Sequence, residues 1–151
     1  MIKIINDSYW FQQEPFFIDN SESRERMSIQ RWDDILFDPN QKAYVLQETS
    51  TLRIIGVIVL EIPPSEEFAK FGVFAISKTY QGKKLGEFLI DHVEQVARRL
   101  LKKSIRIEVF AFVHHLENYY QKLGYIYTGR TNTFFHAECI KSEYRDKGLQ
   151  Y

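Results

Sequence analysis

The sequence has only one cysteine among its 151 residues, Cys139, so it cannot form an intramolecular disulfide bond. No hydrophobic run approaches the length of a membrane span, and the chain becomes polar at Asn6, too early for a signal-peptide core. The 20 basic and 20 acidic side chains cancel, which removes the positive field that draws proteins to nucleic acids and anionic membranes. The lone cysteine and the four histidines show no metal-ligand spacing. These absences predict a cytoplasmic protein that binds no nucleic acid, membrane or metal.

Internal repeats and low-complexity segments are also absent, which argues against repeat and fibrous architectures. Charged residues make up 26% of the chain and hydrophobic residues 44%, an ordinary globular composition. The length is close to that of one common domain. The sequence therefore predicts a single domain over residues 1–151.

The N-terminal half contains short hydrophobic patterns of both strand and helix type. Ile2 to Ile5 predicts a first strand, whereas residues 9–17 are ambiguous. Ser23 to Phe37 predicts a helix, because its apolar residues recur on one face. Ala43 to Gln47 and Leu52 to Ile62 are rich in β-branched residues and flank a short polar turn, which predicts an antiparallel hairpin.

The middle of the chain predicts a strand, a helix and a second strand. Phe68 to Ile76 is an apolar run, and from Lys84 to Lys103 the apolar residues are three and four apart, as on the buried face of a helix. Ile105 to Ala111 alternates with a period of two residues, which indicates a strand. Two strands joined by such a helix should be parallel, with a right-handed crossover. A ligand is expected where the strands end and the helix begins.

The last third predicts one more helix and two strands. Apolar residues from Leu116 to Leu123 indicate a short amphipathic helix, and Gly124 is placed to close it in the left-handed conformation. Tyr125 to Thr131 and Phe135 to Glu143 predict strands that complete the sheet.

The residues at the start of the long helix are unusual for a helix N-terminus. Helix N-termini carry partial positive charge and favour acidic residues, yet Lys83 and Lys84 lie there, beside Gly82 and Gly86. An anionic ligand explains this arrangement, because backbone amides can hold a pyrophosphate while the two ammonium groups neutralise it. A solvated basic turn with a tight glycine is the alternative.

Residues 74–89 resemble the coenzyme A signature of the GNAT superfamily. That signature has Gln or Arg, two further residues, Gly, one further residue, and Gly or Ala; Gln81 and Gly86 match its ends. Lys84 stands where the middle glycine usually falls. If Lys84 lies in the right-handed helical region, its side chain need not clash with the phosphates.

A second segment, Asn118 to Tyr125, resembles another motif of the same family, an aromatic-Tyr-x-Lys-Leu-Gly-aromatic run. The two motifs occur in the expected order, and the resemblance extends from Leu52 to Arg130. It implies an α/β (α+β) fold with a mixed, mostly antiparallel central sheet, a parallel strand pair joined by a helix, and flanking helices. It also implies transfer of the acetyl group of acetyl-CoA, as co-substrate, to a primary amine of a small molecule or peptide by direct attack in a ternary complex.

The resemblance assigns coenzyme contacts to two parts of the chain. The strand edge that would bind the coenzyme consists of Phe74, Ala75 and Ile76. The loop that would bind it consists of Gln81, Gly82, Lys83, Lys84, Leu85 and Gly86. Tyr120 would lie near the coenzyme sulfur. A backbone N–H near Ile76 would polarise the thioester carbonyl. Tyr120 matches the tyrosine proposed as general acid in the family, although its place on the apolar helix face equally fits a core aromatic.

The general base is open between two glutamates. Glu108 lies within the strand after the long helix, and Glu61 ends an otherwise apolar strand; either could take an ammonium proton through water, or be a paired strand carboxylate. His114 and His115 are helix-start or surface residues, or border the active site. His92 fits a packed core histidine.

A catalytically silent GNAT-like module that binds acyl-CoA or a partner is the alternative function. Lys84 at a glycine position and Val113 at a position where the family often has asparagine both allow it. The sequence leaves the acceptor unidentified and leaves open a homodimer formed through the closing strands.

Overall fold

A computed structural model describes residues 1–13, 27–110, 114–133 and 141–150 of the chain. The described residues form four α-helices and six strands, in the order α1 (Ile2–Gln13), α2 (Ile29–Phe37), β1 (Gln41–Gln47), β2 (Ile54–Glu61), β3 (Phe68–Ile76), α3 (Leu85–Arg99), β4 (Ser104–Phe110), α4 (His114–Lys122), β5 (Ile126–Thr133) and β6 (Lys141–Gly148). A short 3-10 turn, Lys78–Tyr80, follows β3.

The strands form one sheet in the order β1-β2-β3-β4-β6-β5. Strands β3 and β4 are parallel, and every other described pair is antiparallel. This is the mixed sheet with a parallel pair joined by a helix that the sequence predicts. The β1–β2 hairpin and the strand, helix, strand unit are likewise confirmed.

Two hydrophobic clusters lie against the sheet. The larger one packs α3 and α4 on it, with Leu89, Val93 and Ala97 of α3 fully or almost fully buried at spacings of four residues. The smaller one joins α1 and α2 to the sheet and includes Ile5 and Trp32. The sheet is therefore covered by α3 and α4 in one cluster and by α1 and α2 in the other.

A buried carboxylate ties α3 to the closing strands. Glu94 is only 3% exposed and accepts hydrogen bonds from the Tyr125 hydroxyl at 2.8 Å and from the Lys147 Nζ at 2.9 Å. A buried charge is tolerated when it is paired and hydrogen-bonded in this way. The nearby carboxylate and the burial raise the pKa of Tyr125, burial being the larger cause.

The N-terminal prediction is wrong for Ile2 to Ile5, which begin helix α1 and not a strand. A short apolar run cannot by itself distinguish the two structures, and here Ile5 is fully buried against the sheet from a helix. Of the ambiguous residues 9–17, residues 9–13 belong to α1 and the others lie outside the described residues.

The second helix begins later than predicted, at Ile29, because the Ser28 side chain accepts a hydrogen bond from Arg31 N–H as an N-cap. The predicted residues 23–26 lie outside the described part.

Helix α3 ends at Arg99, four residues before the predicted Lys103. Leu101 takes a left-handed φ of 58°, and Lys102 Nζ donates at 2.7 Å to the carbonyls of Pro63 and Glu66. The helix stops where the chain turns toward β4.

Gly124 has a φ of 94°, as predicted for the residue that closes α4. None of the described helices combines the length and apolar character needed to cross a bilayer.

The closing strands are present with shifted bounds. Strand β5 covers most of the predicted 125–131, and of the predicted strand from Phe135 to Glu143 the described residues 141–143 belong to β6. Residues 134–140 lie outside the described part of the chain.

Candidate functional site

The parallel strands β3 and β4 separate partway along their length. Their register pairs are Phe68 with Ser104, Ala69 with Ile105, and Lys70 with Arg106, and the described residues show none beyond these. From residue 71 onward β3 therefore has an edge that β4 does not cover. A cavity of about 990 Å³ lies along this gap, bordered by residues 71–76 of β3 and 107–109 of β4.

A β-bulge lies in β3 at the cavity wall. Against β2, Val57 faces Ala75 but Val59 faces Gly72, so two residues of β3 lie opposite Ile58. Val73 in this bulge has a φ of 47°. A β-branched residue with this backbone conformation is strained, at a cost of about 1–3 kcal/mol, and such strain concentrates at functional sites.

The bulge decides which side chains face α3. In an unbroken strand Phe71, Val73 and Ala75 would share one face, because the side-chain period is two. Instead Phe71, Phe74 and Ile76 belong to the cluster under α3 and α4, while Val73 and Ala75 belong to the cluster under α1 and α2. The bulge thus brings the predicted coenzyme residues Phe74 and Ile76 to the helix that carries the basic loop.

The loop between β3 and α3 is held in place by two side-chain hydrogen bonds. The Gln81 side chain donates a hydrogen bond to the Ile76 carbonyl at 3.0 Å, and the Tyr80 hydroxyl donates one to Glu48 at 3.0 Å. Gly82 has a φ of 76°, which only glycine adopts without cost. Gln81 therefore holds the loop against the end of β3, a positioning contact that its place in the motif does not reveal.

Lys84 lies at the N-cap of α3 with a φ of 59° and a ψ of 14°, the left-handed conformation. The condition under which its side chain need not clash with the phosphates, a right-handed helical backbone, is therefore not met. Its backbone keeps the conformation that suits the glycine common at this position of the family motif, although a lysine occupies it. Its side chain is exposed and borders the cavity.

Gly86 allows the first turn of α3 to approach β3 and α4 closely. A Cβ at this position would lie 2.9 Å from Cζ of Phe74 and 3.2 Å from the Tyr119 hydroxyl. The first N–H groups of a helix have no acceptor within the helix, so this turn presents donors and positive potential to the cavity. Together with the nearby ammonium groups it can hold an anion such as a pyrophosphate.

Two tyrosines of α4 border the cavity on the α3 side. Tyr120 is 5% exposed, with its ring centroid 5.1 Å from that of Tyr119 and 6.2 Å from that of Phe71. It is therefore at once a core residue and a cavity residue, and its role as a general acid stays a prediction. Burial, with a smaller contribution from Glu87, raises the pKa of Tyr119 to about 12, so this phenol keeps its proton at neutral pH.

Both candidate bases lie on the cavity wall, beside one lysine. Glu108 Oε2 lies 3.5 Å from the Nζ of Lys70, and Glu61 faces Lys70 across the β2–β3 pair. Lys70 therefore places a positive charge next to both carboxylates.

Helix α2 and its end add further charged residues that the sequence interpretation missed. Arg31, Asp34 and Asp38 line the same cavity as the two glutamates. Hydrogen bonds from the Asn40 N–H and from the Gln41 side chain lower the pKa of Asp38, so it is ionised at neutral pH. Asp34 and Asp38 are four residues apart, a spacing that places them on one helix face, but no local pattern shows that this face meets β2 and β4.

The histidines differ in their positions. His115 borders the cavity, whereas the His114 side chain is 81% exposed and its Nδ1 lies 3.0 Å from Glu117. His92 packs edge-to-face on Tyr44 at 4.8 Å, as expected of a packed histidine. Val113 and Cys139 lie outside the described residues. Over the described ranges, no three His, Cys, Asp or Glu residues form a group that could hold a metal ion.

Solved structures of acetyltransferases are similar to this fold. A spermidine N-acetyltransferase chimera of the Vibrio cholerae enzyme and hSSAT matches with a TM-score of 0.69 and 18% identity, over 98% of this chain and 90% of the other. A GNAT family acetyltransferase from Elizabethkingia anophelis with acetyl-CoA bound matches with a TM-score of 0.64 and 20% identity, over 81% and 84%. The IAA acetyltransferase from Bacillus cereus matches with a TM-score of 0.63 and 16% identity, over 81% and 85%. At these identities the similarity establishes the fold, which is the one the sequence predicts.

The sequence comparisons complete the identification. The search of curated proteins gave no match. The family model described as "Acetyltransferase (GNAT) family" matches residues 5–125, a range that includes both motifs, the basic loop and most of the cavity wall. The chain therefore belongs to the GNAT family of acetyltransferases.

Proposed function

We propose that the chain is a single-domain, cytoplasmic N-acetyltransferase that moves the acetyl group of acetyl-CoA to a primary amine within a ternary complex. The observation that carries the proposal is the gap between β3 and β4. It joins the basic loop at α3, the uncovered edge of β3, Tyr120 and the carboxylates of Glu61 and Glu108 in one continuous cavity. A coenzyme and an acceptor can therefore meet there.

The loop end of this cavity suits the coenzyme. The pyrophosphate would lie against the first turn of α3, where Gly82 leaves open space and Lys83 and Lys84 supply positive charge. The pantetheine amides would pair with the edge of β3 that β4 leaves uncovered. Each part of the coenzyme then has a protein group of matching chemistry.

The reaction needs one base and one acid. The neutral amine nitrogen attacks the thioester carbonyl carbon, the new C–N bond forms, and the C–S bond breaks. Glu61 or Glu108 accepts the proton that the amine loses, directly or through water, and Tyr120 donates a proton to the departing thiolate. A backbone N–H of the β3 edge near Ile76 stabilises the oxyanion.

The far end of the cavity favours an acceptor that carries positive charge. Four carboxylates there, on Asp34, Asp38, Glu61 and Glu108, face two cationic side chains, on Arg31 and Lys70. An excess of negative charge on a partly enclosed wall attracts cations and repels anionic acceptors. One solved structure of similar fold is named as a spermidine N-acetyltransferase, a name that also specifies a cationic amine.

A silent acyl-CoA-binding module is the second candidate function. Lys84 occupies a backbone conformation suited to glycine, and Glu108 is already engaged in an ion pair with Lys70 at 3.5 Å. Such a module would bind the coenzyme without turning it over.

Thermal unfolding with acetyl-CoA tests the coenzyme site first. Acetyl-CoA at about a hundred times its Kd should stabilise the fold by about 2.7 kcal/mol and raise the Tm by at least about 5 °C, whereas AMP should not. Release of free thiol is then followed on a panel of mono-, di- and polyamines, with anionic amino acids as the contrasting group. Turnover on amines supports the enzyme, binding without turnover supports the silent module, and the absence of a Tm rise refutes both.

A further inference from the structure

Gly72 of β3 is a glycine that neither its backbone nor its packing requires. Its φ is not positive, unlike those of Gly82, Gly124 and Gly129, so an L side chain fits its conformation. A Cβ built at Gly72 meets no described atom within 4 Å, whereas one at Gly56 would lie 2.7 Å from Cδ1 of Ile76. A glycine within a strand weakens the strand and often marks a place where a ligand approaches closely.

The position of Gly72 points to the part of the ligand that it admits. It lies on the cavity wall, two residues after Lys70 at the acceptor end and two before Phe74 at the coenzyme end. It also lies next to the bulge, paired with Val59 of β2, at the place where β3 is no longer paired with β4. In an acyl transfer the acyl group lies between the coenzyme and the acceptor, so the open space at Gly72 is beside that group.

We propose that Gly72 makes room for acyl groups longer than acetyl, and that this chain also transfers propionyl and butyryl groups from their coenzyme A thioesters. The proposal rests on the acetyltransferase function proposed above. The step is the same: the amine nitrogen bonds to the acyl carbon, the C–S bond breaks, the base takes the amine proton, and the sulfur leaves as the protonated thiol. The added methylenes would occupy the space that a side chain at position 72 would fill.

The test compares acetyl-, propionyl- and butyryl-CoA with one amine that the wild-type chain accepts. The wild-type chain should use butyryl-CoA with a kcat/KM within about tenfold of that for acetyl-CoA. Gly72→Val should lower the ratio of butyryl to acetyl kcat/KM by at least about tenfold, since a pocket that has lost one or two methylenes of space discriminates by this much. Gly72→Ala should lower the ratio by less, and it serves as the test variant if the valine variant unfolds at a lower temperature.

Gly148→Val is the matched control. A Cβ at Gly148 also meets no described atom within 4 Å, and its φ is not positive, but it lies on β6 away from the cavity lining. This variant should leave all three activities and their ratios unchanged. A second readout is the rise in Tm with butyryl-CoA, which Gly72→Val should reduce more than the rise with acetyl-CoA.

Each result decides between distinct conclusions. Acetyl transfer without propionyl or butyryl transfer by the wild-type chain overturns the proposal and leaves the acetyltransferase function standing. Equal losses with all three thioesters in Gly72→Val, accompanied by a higher KM for the amine, assign the space to the acceptor and also overturn it. No transfer from any of the three thioesters to any amine of the panel refutes the proposed function itself, and the proposal with it.

Discussion

The conformation of Lys84 predicts opposite effects of one substitution on stability and on coenzyme binding. Lys84→Gly removes an L side chain from a left-handed residue at φ 59°, which relieves about 1–2 kcal/mol of strain. Glycine also gives the unfolded chain more freedom, which costs about 0.5–1 kcal/mol. The folded state should therefore gain about 0.5–1 kcal/mol, or about 1–4 °C in Tm for a chain of this length.

The same substitution removes an ammonium group at the proposed pyrophosphate site. The Lys84 side chain is exposed, so its charged contact lies at the lower end of such interactions, about 1.5 kcal/mol. That corresponds to a roughly tenfold increase in the Kd for acetyl-CoA. Thermal unfolding without ligand measures the first effect, and calorimetric titration with acetyl-CoA measures the second.

Lys84→Ala separates the two effects. Alanine keeps the Cβ and therefore the strain, but it loses the ammonium group as glycine does. It should weaken coenzyme binding to the same extent without the gain in Tm. Equal melting temperatures for the glycine and alanine variants would show that the left-handed conformation is not what limits stability here, and unchanged coenzyme affinity in both would remove Lys84 from the phosphate site.

Three further predictions concern the tyrosines and the buried carboxylate. Tyr120→Phe should lower kcat for acetyl transfer by at least about tenfold with little change in the Kd for acetyl-CoA, and equal turnover would leave Tyr120 only its packing role. Relative to Tyr119→Phe, wild-type unfolding stability should fall as pH rises above about 10, because Tyr119 ionises there when unfolded but only near pH 12 when folded; parallel pH profiles would contradict the raised pKa. Glu94→Ala should cost about 2–3 kcal/mol in urea unfolding, because Lys147 loses its buried partner, whereas Glu67→Ala, which breaks an exposed ion pair, should cost less than about 0.5 kcal/mol.

The sequence predicts the elements whose patterns are long and regular. The spacing of apolar residues in α3 and the two-residue period of β4 are local properties, and the structure confirms both. The prediction for Ile2 to Ile5 is wrong because three isoleucines and one lysine fit either a helix or a strand, and only packing on the sheet decides between them.

Only part of the candidate site could be predicted from the sequence. The motif resemblance predicted the loop and Tyr120, because each motif is a continuous stretch of the chain. The bulge at Val73 was not predicted, because valine is typical of regular strands; Gly72 beside it is a residue that can mark a bulge, but pairing with β2 decides where the bulge forms. Asp34 and Asp38 reach the cavity only through the docking of α2, a contact between residues far apart in sequence.

The gap between β3 and β4 also affects how the two halves of the sheet are connected. On one side β1, β2 and β3 form an antiparallel ribbon, and on the other β4, β6 and β5 form a second one. Among the described residues, backbone pairing joins the two ribbons at three residue pairs, all at one end, and the chain crosses from one ribbon to the other through α3. A ligand bound along the gap would contact both ribbons, and it would therefore add interactions between them where the backbone pairing is absent.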